Sequence, residues 1–233
     1  MDKVIAISQP MFFPWIGLFE QIYYSDIFVH LVNVQIPGGQ SFIHRVQLKG
    51  PSGVFWWSVP TRKKFPTDIN AVILQYNKIW LDKSLKRLEI FFYALPFKDD
   101  VLLLVKDIFD QKFTFLHELN IYSLEKISEY IGLNTVFKLE PKVKATDPTD
   151  RLVKIIKYFS GGKYITGLGG KNYLMYEKFK KENIKVSYMD YSFKEYYQKF
   201  GLFNPYVSIL HLLASVGKDT KKYFASKLST DIL

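Results

Sequence analysis

Short apolar runs alternate with helical patterns along most of this chain, and that alternation is the feature that most limits its fold. The apolar residues 4–7 predict a buried strand, and residues 15–24 show helical spacing soon after it. The same order returns where a strand at 163–166 precedes a helix at 173–182 and a further strand at 186–191. Strands that alternate with helices are typical of parallel sheets covered by helices. The pattern predicts an α/β fold with a mainly parallel, Rossmann-like sheet flanked by helices.

The middle of the chain departs from this alternation. From residue 78 to residue 131 the apolar spacing is helical throughout, with breaks near Pro96 and near Asn120. Three helices are expected there, as a helical insertion or cap on the α/β core. We therefore expect one α/β domain over residues 1–233, with residues 78–131 as a helical insertion within it.

Composition bears on the compartment. The 233 residues include no cysteine, and 48% are hydrophobic. Disulfides and thiolate metal sites are excluded, and the chain has enough apolar residues to build a core without such crosslinks. No apolar run approaches the roughly 20 residues that a membrane-spanning helix needs, and the start of the sequence lacks the pattern of a secretory signal. These features predict a cytoplasmic protein without a membrane span.

The net charge of +10 is concentrated in the second half of the chain. Residues 1–137 hold 14 lysines and arginines against 13 acidic residues, whereas residues 138–233 hold 18 against 9. Such a field raises the local concentration of anions, among which nucleotide sugars, RNA and an anionic membrane surface are candidates. A lysine-rich, solvated face without a ligand is the alternative.

The first candidate site is the segment 8–17, which lies between the first strand and the first helix. Ligands of open α/β sheets bind outside the carboxyl ends of the strands, and the start of a helix offers free N–H groups to an anion. Pro10 and Pro14 stiffen the loop around Trp15, and Gly17 would let a ligand or backbone approach closely. A packed aromatic loop without a ligand is the alternative.

The second candidate is a glycine-rich loop that follows a strand and precedes a helix. Gly167, Gly169 and Gly170 can expose successive N–H groups to a phosphate, and Tyr173 adds a ring for stacking. The G-x-G-G spacing is neither a dinucleotide fingerprint nor a P-loop, and a plain tight turn is the alternative. Because both candidate loops follow a strand, we expect them to meet at one edge of the sheet.

Arg45 is the third candidate, since a guanidinium near a glycine-rich turn can grip phosphate or carboxylate with two N–H groups. A surface ion pair is the alternative. Gln198 lies beside two tyrosines that could contact a sugar, although such stretches are more often core. The four histidines have neither the spacing nor the acidic neighbours of a zinc site. We therefore expect no metal and no cofactor.

Several motifs in the right order resemble the WbqC-like family of bacterial surface-polysaccharide proteins, over nearly the whole chain. They are Gln9-Pro10, Pro14-Trp15 and Gly17; Val34-Gln35 and Arg45; Trp57 to Pro60; Tyr164 to Gly167 with Gly170 and Tyr173; and Tyr197-Gln198, Phe203 to Pro205 and Ser208 to Leu210 with Gly217.

That family is associated with genes for O-antigen and other surface polysaccharides, and thus with lipopolysaccharide biosynthesis. The resemblance implies a transferase that modifies a nucleotide-activated amino sugar, by transfer of an acyl or aminoacyl group such as glycyl to the sugar amine. A charged tRNA or another acyl donor is the implied partner. A non-catalytic module that binds a nucleotide sugar or RNA is the alternative. The implied substrate-binding residues are Gln9, Trp15, Gly17, Gln35, Arg45, Gly167, Gly169, Gly170, Tyr173 and Gln198.

The chain departs from the family pattern at three positions. The family usually has a histidine where this chain has Ser8, and acidic residues near Asn33 and at His211. Histidine is the side chain best suited to proton transfer near neutral pH. Either that histidine is not catalytic, or this chain has an altered activity, or Ser8 acts together with His44 or His211. The catalytic candidates are accordingly Ser8, Gln9 and His44.

Overall fold

The structure is a computed structural model that describes residues 2–38, 41–64 and 66–231. Its strands are β1 (Lys3–Ser8), β2 (Ile27–His30), β3 (Arg45–Gly50), β4 (Gly53–Ser58), β5 (Thr61–Arg62), β6 (Ile73–Leu74), β7 (Val136–Leu139), β8 (Gly161–Thr166), β9 (Lys185–Asp190) and β10 (Lys227–Leu228). Its α-helices are α1 (Ile16–Tyr23), α2 (Lys78–Phe91), α3 (Lys98–Asp110), α4 (Leu116–Ile131), α5 (Pro148–Tyr158), α6 (Tyr176–Lys181) and α7 (Ile209–Val216). Short 3-10 helices cover Ile69–Ala71, Leu168–Asn172 and Gly217–Tyr223.

Six strands form the central sheet, in the order β10-β9-β8-β1-β2-β7. All neighbouring strands run parallel except β10, which pairs antiparallel with β9. The mainly parallel α/β fold that the sequence predicts is therefore confirmed. The hairpins β3–β4 and β5–β6 lie outside this sheet.

Apolar residues cover both faces of the sheet, as a parallel sheet requires. Ile5 and Val29 face one side, where they share a buried cluster with Ile155 of α5 and Phe179 of α6. Successive side chains of a strand point to opposite faces of the sheet. Ala6 accordingly joins the larger cluster on the other face, which includes residues of α1, α4 and α7.

Three helices occupy residues 78–131, as the helical spacing indicates. The break expected near Pro96 is present, because α2 ends at Phe91 and α3 begins at Lys98. The break expected near Asn120 is wrong, since this residue lies inside α4, fully buried. Its Nδ2 donates to the backbone carbonyls of Pro10 and Ile43, at 2.9 and 2.8 Å. A polar residue is thus retained within the helix because it holds two loops together.

Two further element boundaries differ from expectation. The predicted helix at 173–182 begins only at Tyr176, because the glycine-rich segment before it winds into the 3-10 helix Leu168–Asn172. The apolar residues within 69–74 also predict a strand, but only Ile73–Leu74 forms one, preceded by the 3-10 helix Ile69–Ala71. In that helix the Asn70 side chain donates to the Asn33 side chain at 2.7 Å.

The strand order defines a single switch point beside β1. After β1 the chain adds β2 and then β7 on one side, and it later returns to place β8 and β9 on the other. The connections that leave the carboxyl ends of β1 and β8 therefore diverge to opposite faces, which opens a crevice between them. Within residues 2–38, 41–64 and 66–231, no helix is long and apolar enough to cross a membrane.

Candidate functional site

A cavity of about 420 Å³ lies in this crevice. Its floor is formed by the ends of β1 and β8, with Ile7, Ser8 and Thr166, and the two candidate loops form its walls. Gln9 and Trp15 come from the loop after β1, and the glycine-rich segment contributes from the loop after β8. The two segments that the sequence singles out therefore share one cavity.

Aromatic rings form much of the cavity wall. Trp15, Tyr164, Tyr173 and Tyr191 all line it. The rings of Trp15 and Tyr191 pack with their centroids 4.9 Å apart, while Tyr173 is 56% exposed and stands at the open side. Aromatic faces of this kind stack on sugar rings and nucleobases, and the tyrosine hydroxyls add hydrogen-bonding groups.

The polar groups of the cavity are uncharged. Besides the tyrosine hydroxyls, they belong to Ser8, Gln9, Gln21 and Thr166. The Gln21 amide is buried, and its Nε2 donates to the backbone carbonyl of Ile165 at 3.2 Å, which fixes its orientation. Among the residues that the structure describes, no aspartate, glutamate, histidine, lysine or arginine lines this cavity.

The tyrosines of the cavity stay protonated at neutral pH. Burial raises the pKa of Tyr191 to about 12, with a smaller contribution from the Glu20 carboxylate. Burial also raises the pKa of Tyr164 and of Tyr173 above the ordinary value. The phenols of Tyr173 and Tyr191 can therefore donate hydrogen bonds to a ligand, whereas Tyr164 is buried. None of the three provides a base.

The loop after β1 is held rigidly, and its backbone is strained. Phe13 has a φ of 42°, an uncommon conformation for a bulky residue. The Ser208 hydroxyl donates to the Phe13 carbonyl at 2.7 Å, and the Ile209 N–H donates to the Pro14 carbonyl at 2.8 Å. Strain of this kind persists only where the surroundings impose it, and it is common at ligand sites. The start of α7 thus positions Trp15 at the cavity.

Gly17 has a different role from the one expected. A Cβ at this position would lie 2.5 Å from two atoms of the Trp15 ring. The absence of a side chain at Gly17 therefore leaves space for the Trp15 indole. The group that approaches this glycine closely is the Trp15 ring and not a ligand.

Replacement of Gly17 by alanine is expected to displace the Trp15 ring. Alanine favours the helix by about 1 kcal/mol, but overpacking costs roughly 1–3 kcal/mol, so a net loss of stability of about 1 kcal/mol should result. Ligand affinity should fall with the displaced cavity wall. Thermal melts and calorimetric titrations of Gly17→Ala measure both effects. The Gly38→Ala variant is the control, because a Cβ at Gly38 meets no atom within 4 Å. Unchanged ligand affinity in Gly17→Ala would show that Trp15 does not take part in binding.

The glycine-rich loop lines the cavity but closes partly on itself. The Gly170 N–H donates to the Gly167 carbonyl at 3.0 Å, so this N–H is not open to a phosphate. Gly170 is also packed, since a Cβ there would lie 3.0 Å from the Thr166 methyl group. Gly169 is exposed, and a Cβ there would meet no atom within 4 Å. The loop shapes the cavity more than it offers a row of free donors.

Two expected site residues lie elsewhere and have structural partners. Gln35 is exposed and forms an antiparallel backbone bridge with Asp68. Gln198 is buried, and its amide accepts from the backbone N–H of Asn204 and from the ammonium of Lys49, while its Nε2 donates to the Asn204 carbonyl. The hydrogen-bonding groups of Gln198 thus stabilise the loop between Gln198 and Asn204.

The two histidines considered as partners of Ser8 do not line the cavity. Burial, followed by the charges of Lys63 and Arg45, lowers the pKa of His44 to about 4. His211 is buried, and its Nε2 accepts from the Lys49 backbone N–H at 3.0 Å. Neither arrangement places a base beside Ser8, whose hydroxyl donates to the Gln9 carbonyl at 3.3 Å.

Arg45 also lies outside the cavity lining, on the β3–β4 hairpin. Its guanidinium stacks over the Trp56 ring, 4.3 Å from the centroid. The hypothesis of one site that combines Arg45 with Gln9 and Trp15 is therefore not supported by the lining of the cavity. In the described part of the chain, no cluster of three or more acidic or histidine side chains could hold a metal ion.

Three residues that line the cavity are not among the expected site residues, although their positions in the sequence indicate it: Gln21, Thr166 and Tyr191. Gln21 lies one helical turn after Gly17 and so returns to the same face of α1. Thr166 is the last residue of β8, and Tyr191 directly follows β9. Both stand at the carboxyl edge of the sheet, where the two candidate loops are also expected.

These features define a class of protein: a doubly wound, mainly parallel α/β protein with an aromatic, uncharged cavity at its switch point. The chain belongs to the WbqC-like protein family, whose family model matches residues 9–223. Membership of this family suggests a role in polysaccharide biosynthesis.

The chain is also similar to a protein of Mycobacterium tuberculosis described as the uncharacterized protein Rv1507c. The two are 27% identical over 226 residues, which cover 95% of this chain and 97% of that protein. No solved structure matches the chain.

Proposed function

We propose that the cavity binds a nucleotide-activated amino sugar, and that the protein transfers an acyl or aminoacyl group to the sugar amine in bacterial surface-polysaccharide biosynthesis, including that of O-antigen. The observation that supports this most is the lining of the cavity. Aromatic rings beside fixed, uncharged amide and hydroxyl groups suit a ligand that is itself a polar, uncharged ring.

A neighbouring cavity suits the charged part of the same ligand. It also measures about 420 Å³, and its lining includes Asn33, Lys142, Lys144 and Arg151 near the ends of β2 and β7. Leu152 lines the first cavity, so helix α5 contributes to both. Arg151 is paired with the Glu140 carboxylate, so the positive charge that faces solvent here comes from the exposed Lys142 and Lys144. A diphosphate that extends from the first cavity would meet these two lysines, where positive charge raises the local concentration of anions.

The absence of a base among the described lining residues is compatible with acyl transfer. In this reaction the unprotonated sugar amine attacks the carbonyl carbon of an activated donor, and the bond from that carbon to the sulfur or oxygen of the donor breaks. The proton that the amine nitrogen loses passes to the departing sulfur or oxygen, so that an amide and a thiol or alcohol are formed. The amine is already a nucleophile, so alignment with the donor supplies much of the acceleration. Neutral tyrosine and amide donors at the cavity could stabilise the oxyanion that forms. Ser8, at the end of β1, and Gln9, directly after it, both line the cavity and are the candidates for this contact.

A non-catalytic module that binds a nucleotide sugar is the second candidate. The same observation favours it, because no described side chain that titrates near neutral pH lines the cavity. Such a module would bind the sugar and present it to another enzyme.

Two measurements on the same protein distinguish these functions. Calorimetry with nucleotide-linked amino sugars measures binding, and mass spectrometry after addition of an acyl thioester or a charged tRNA detects the acylated sugar. Binding with product formation supports the transferase, whereas binding without product for any donor supports the module. No binding of any nucleotide sugar would contradict both.

A further inference from the structure

The Arg45 guanidinium lies on the outer face of the β3–β4 hairpin. Arg45 begins β3 and pairs with Ser58 of β4. Since side chains alternate along a strand, Arg45 and Trp56 share the face opposite to Val46 and Trp57, which are buried in the core. The indole of Trp56 therefore packs against one face of the guanidinium.

One edge of this guanidinium is shielded and unsatisfied. Both Nε and Nη2 of Arg45 are inaccessible to solvent, and neither has a hydrogen-bond partner among the residues that the structure describes. These two nitrogens point to the same side of the group, which is the edge that holds two oxygens of a phosphate or carboxylate. Arg151 uses the same edge, since its Nε and Nη2 both bind the Glu140 carboxylate. At Arg45 no carboxylate forms an ion pair in the described part of the chain.

A second basic side chain, that of Lys63, lies near Arg45. Lys63 lies close enough for the charge of Arg45 to lower its pKa, after the larger effect of burial. The charges that affect His44 are those of Lys63 and Arg45. A shielded cation beside a second cation is costly unless an anion accompanies it. More than one positive charge at one point favours a multiply charged anion over a carboxylate.

An aromatic surface lies beside the Arg45 guanidinium. Phe42 is 43% exposed, and its ring packs on Trp56 with a centroid distance of 5.4 Å. A ring that is open on one side beside a cationic group is an arrangement that suits nucleotides, in which a base stacks while a phosphate is neutralised.

We propose that Arg45, supported by Trp56 and flanked by Lys63, forms a binding site for a phosphate group, separate from the cavity between β1 and β8. The two oxygens of the phosphate bind Nε and Nη2, and Lys63 adds charge. Since this edge of the guanidinium is closed to solvent, neighbouring side chains shift when the anion binds. This proposal does not depend on the ligand of the cavity.

Calorimetric titration with pyrophosphate, at constant ionic strength, tests the site. Lys142 and Lys144 are replaced by glutamine in every protein compared, so that the basic cavity that they line does not compete for pyrophosphate. We expect Arg45→Gln to weaken binding by about ten-fold to one-hundred-fold, because a charge-assisted bidentate contact is lost. Arg45→Lys should recover little, because an ammonium cannot form the paired contact. Arg87→Gln is the matched control, since Arg87 stacks on Phe55 of the same hairpin at 5.3 Å but is exposed. It should bind as the wild type does.

Acetate titrated in parallel separates phosphate from carboxylate, and thermal melts verify that each variant is folded. Equal pyrophosphate affinity in the wild type and Arg45→Gln, or acetate binding as tight as that of pyrophosphate, would overturn the proposal. If Arg45→Gln does not fold, Arg45→Lys decides, since it keeps the stem and the charge. Wild-type affinity in that variant would overturn the proposal equally.

Discussion

Replacement of Gly169 by tryptophan is expected to abolish the binding of a nucleotide-linked amino sugar, with an affinity at least about one-hundred-fold lower, while the fold is kept. Gly169 lines the cavity and is exposed, and a Cβ at this position would meet no atom within 4 Å. Its φ is not in the left-handed region, so a larger residue brings no backbone strain. An indole here would occupy the space of the ligand, and loss of stacking and hydrogen bonds together exceeds about 3 kcal/mol.

Gly38→Trp is the matched control for this variant. Gly38 is likewise exposed, and a Cβ there also meets no atom within 4 Å, but it does not line the cavity. Both variants should melt within about 2 °C of the wild type, because surface substitutions change stability by about 0.5 kcal/mol or less. If Gly169→Trp binds the sugar as tightly as Gly38→Trp does, the ligand lies elsewhere.

Acidification is expected to destabilise the protein well above the pH at which carboxylates titrate. Burial, followed by the charge of Lys49, lowers the pKa of His211 to about 3 from an ordinary 6.5. Below pH 6.5 the unfolded chain therefore binds a proton at this residue that the folded chain does not bind. The loss of unfolding free energy per pH unit is half of its limiting value of about 1.4 kcal/mol at pH 6.5 and approaches that value near pH 5, so the loss from pH 6.5 to pH 5 is about 1.6 kcal/mol.

Two other histidines act in the same direction. His44 and His117 also have a lowered pKa through burial, and each contributes less because it is only half-buried. Asp147, whose pKa is lowered to about 2, chiefly by Lys178, loses its contribution only below its ordinary value of 3.8. The window from pH 6.5 to pH 5 therefore reports on the histidines.

Urea denaturation at several pH values measures this effect, with His211→Gln as the comparison. Glutamine keeps an acceptor for the Lys49 N–H but does not titrate. We expect the pH dependence of the variant to be flatter by about one proton between pH 6.5 and pH 5. Parallel curves for the variant and the wild type would show that His211 is not the group responsible.

Much of the fold could be predicted from the sequence, because its signals are local. The buried run at 4–7, the prolines after it and the helix from Ile16 are all set by neighbours in the chain. The position of the glycine-rich loop beside Trp15 follows from a general rule of parallel sheets. These two inferences were enough to locate the cavity.

The rest depended on contacts between distant parts of the chain. Asn120 looks like a helix break until its partners, 110 and 77 residues away, are known. Gln198 looks available for a sugar, yet Lys49, 149 residues away, uses its oxygen. Arg45 looks like part of the first site, but the hairpin that carries it places its guanidinium on Trp56. Sequence spacing contains no information on such pairings.

The central claim is that the cavity between the ends of β1 and β8 holds a nucleotide-linked amino sugar. The most direct test is a crystal structure of the wild-type protein with such a sugar bound. We expect its sugar or base to lie between Trp15 and Tyr173, with hydrogen bonds to Gln9 or Gln21 and the diphosphate directed toward Lys142 and Lys144. A ligand bound at another surface, with this cavity left empty, would contradict the claim.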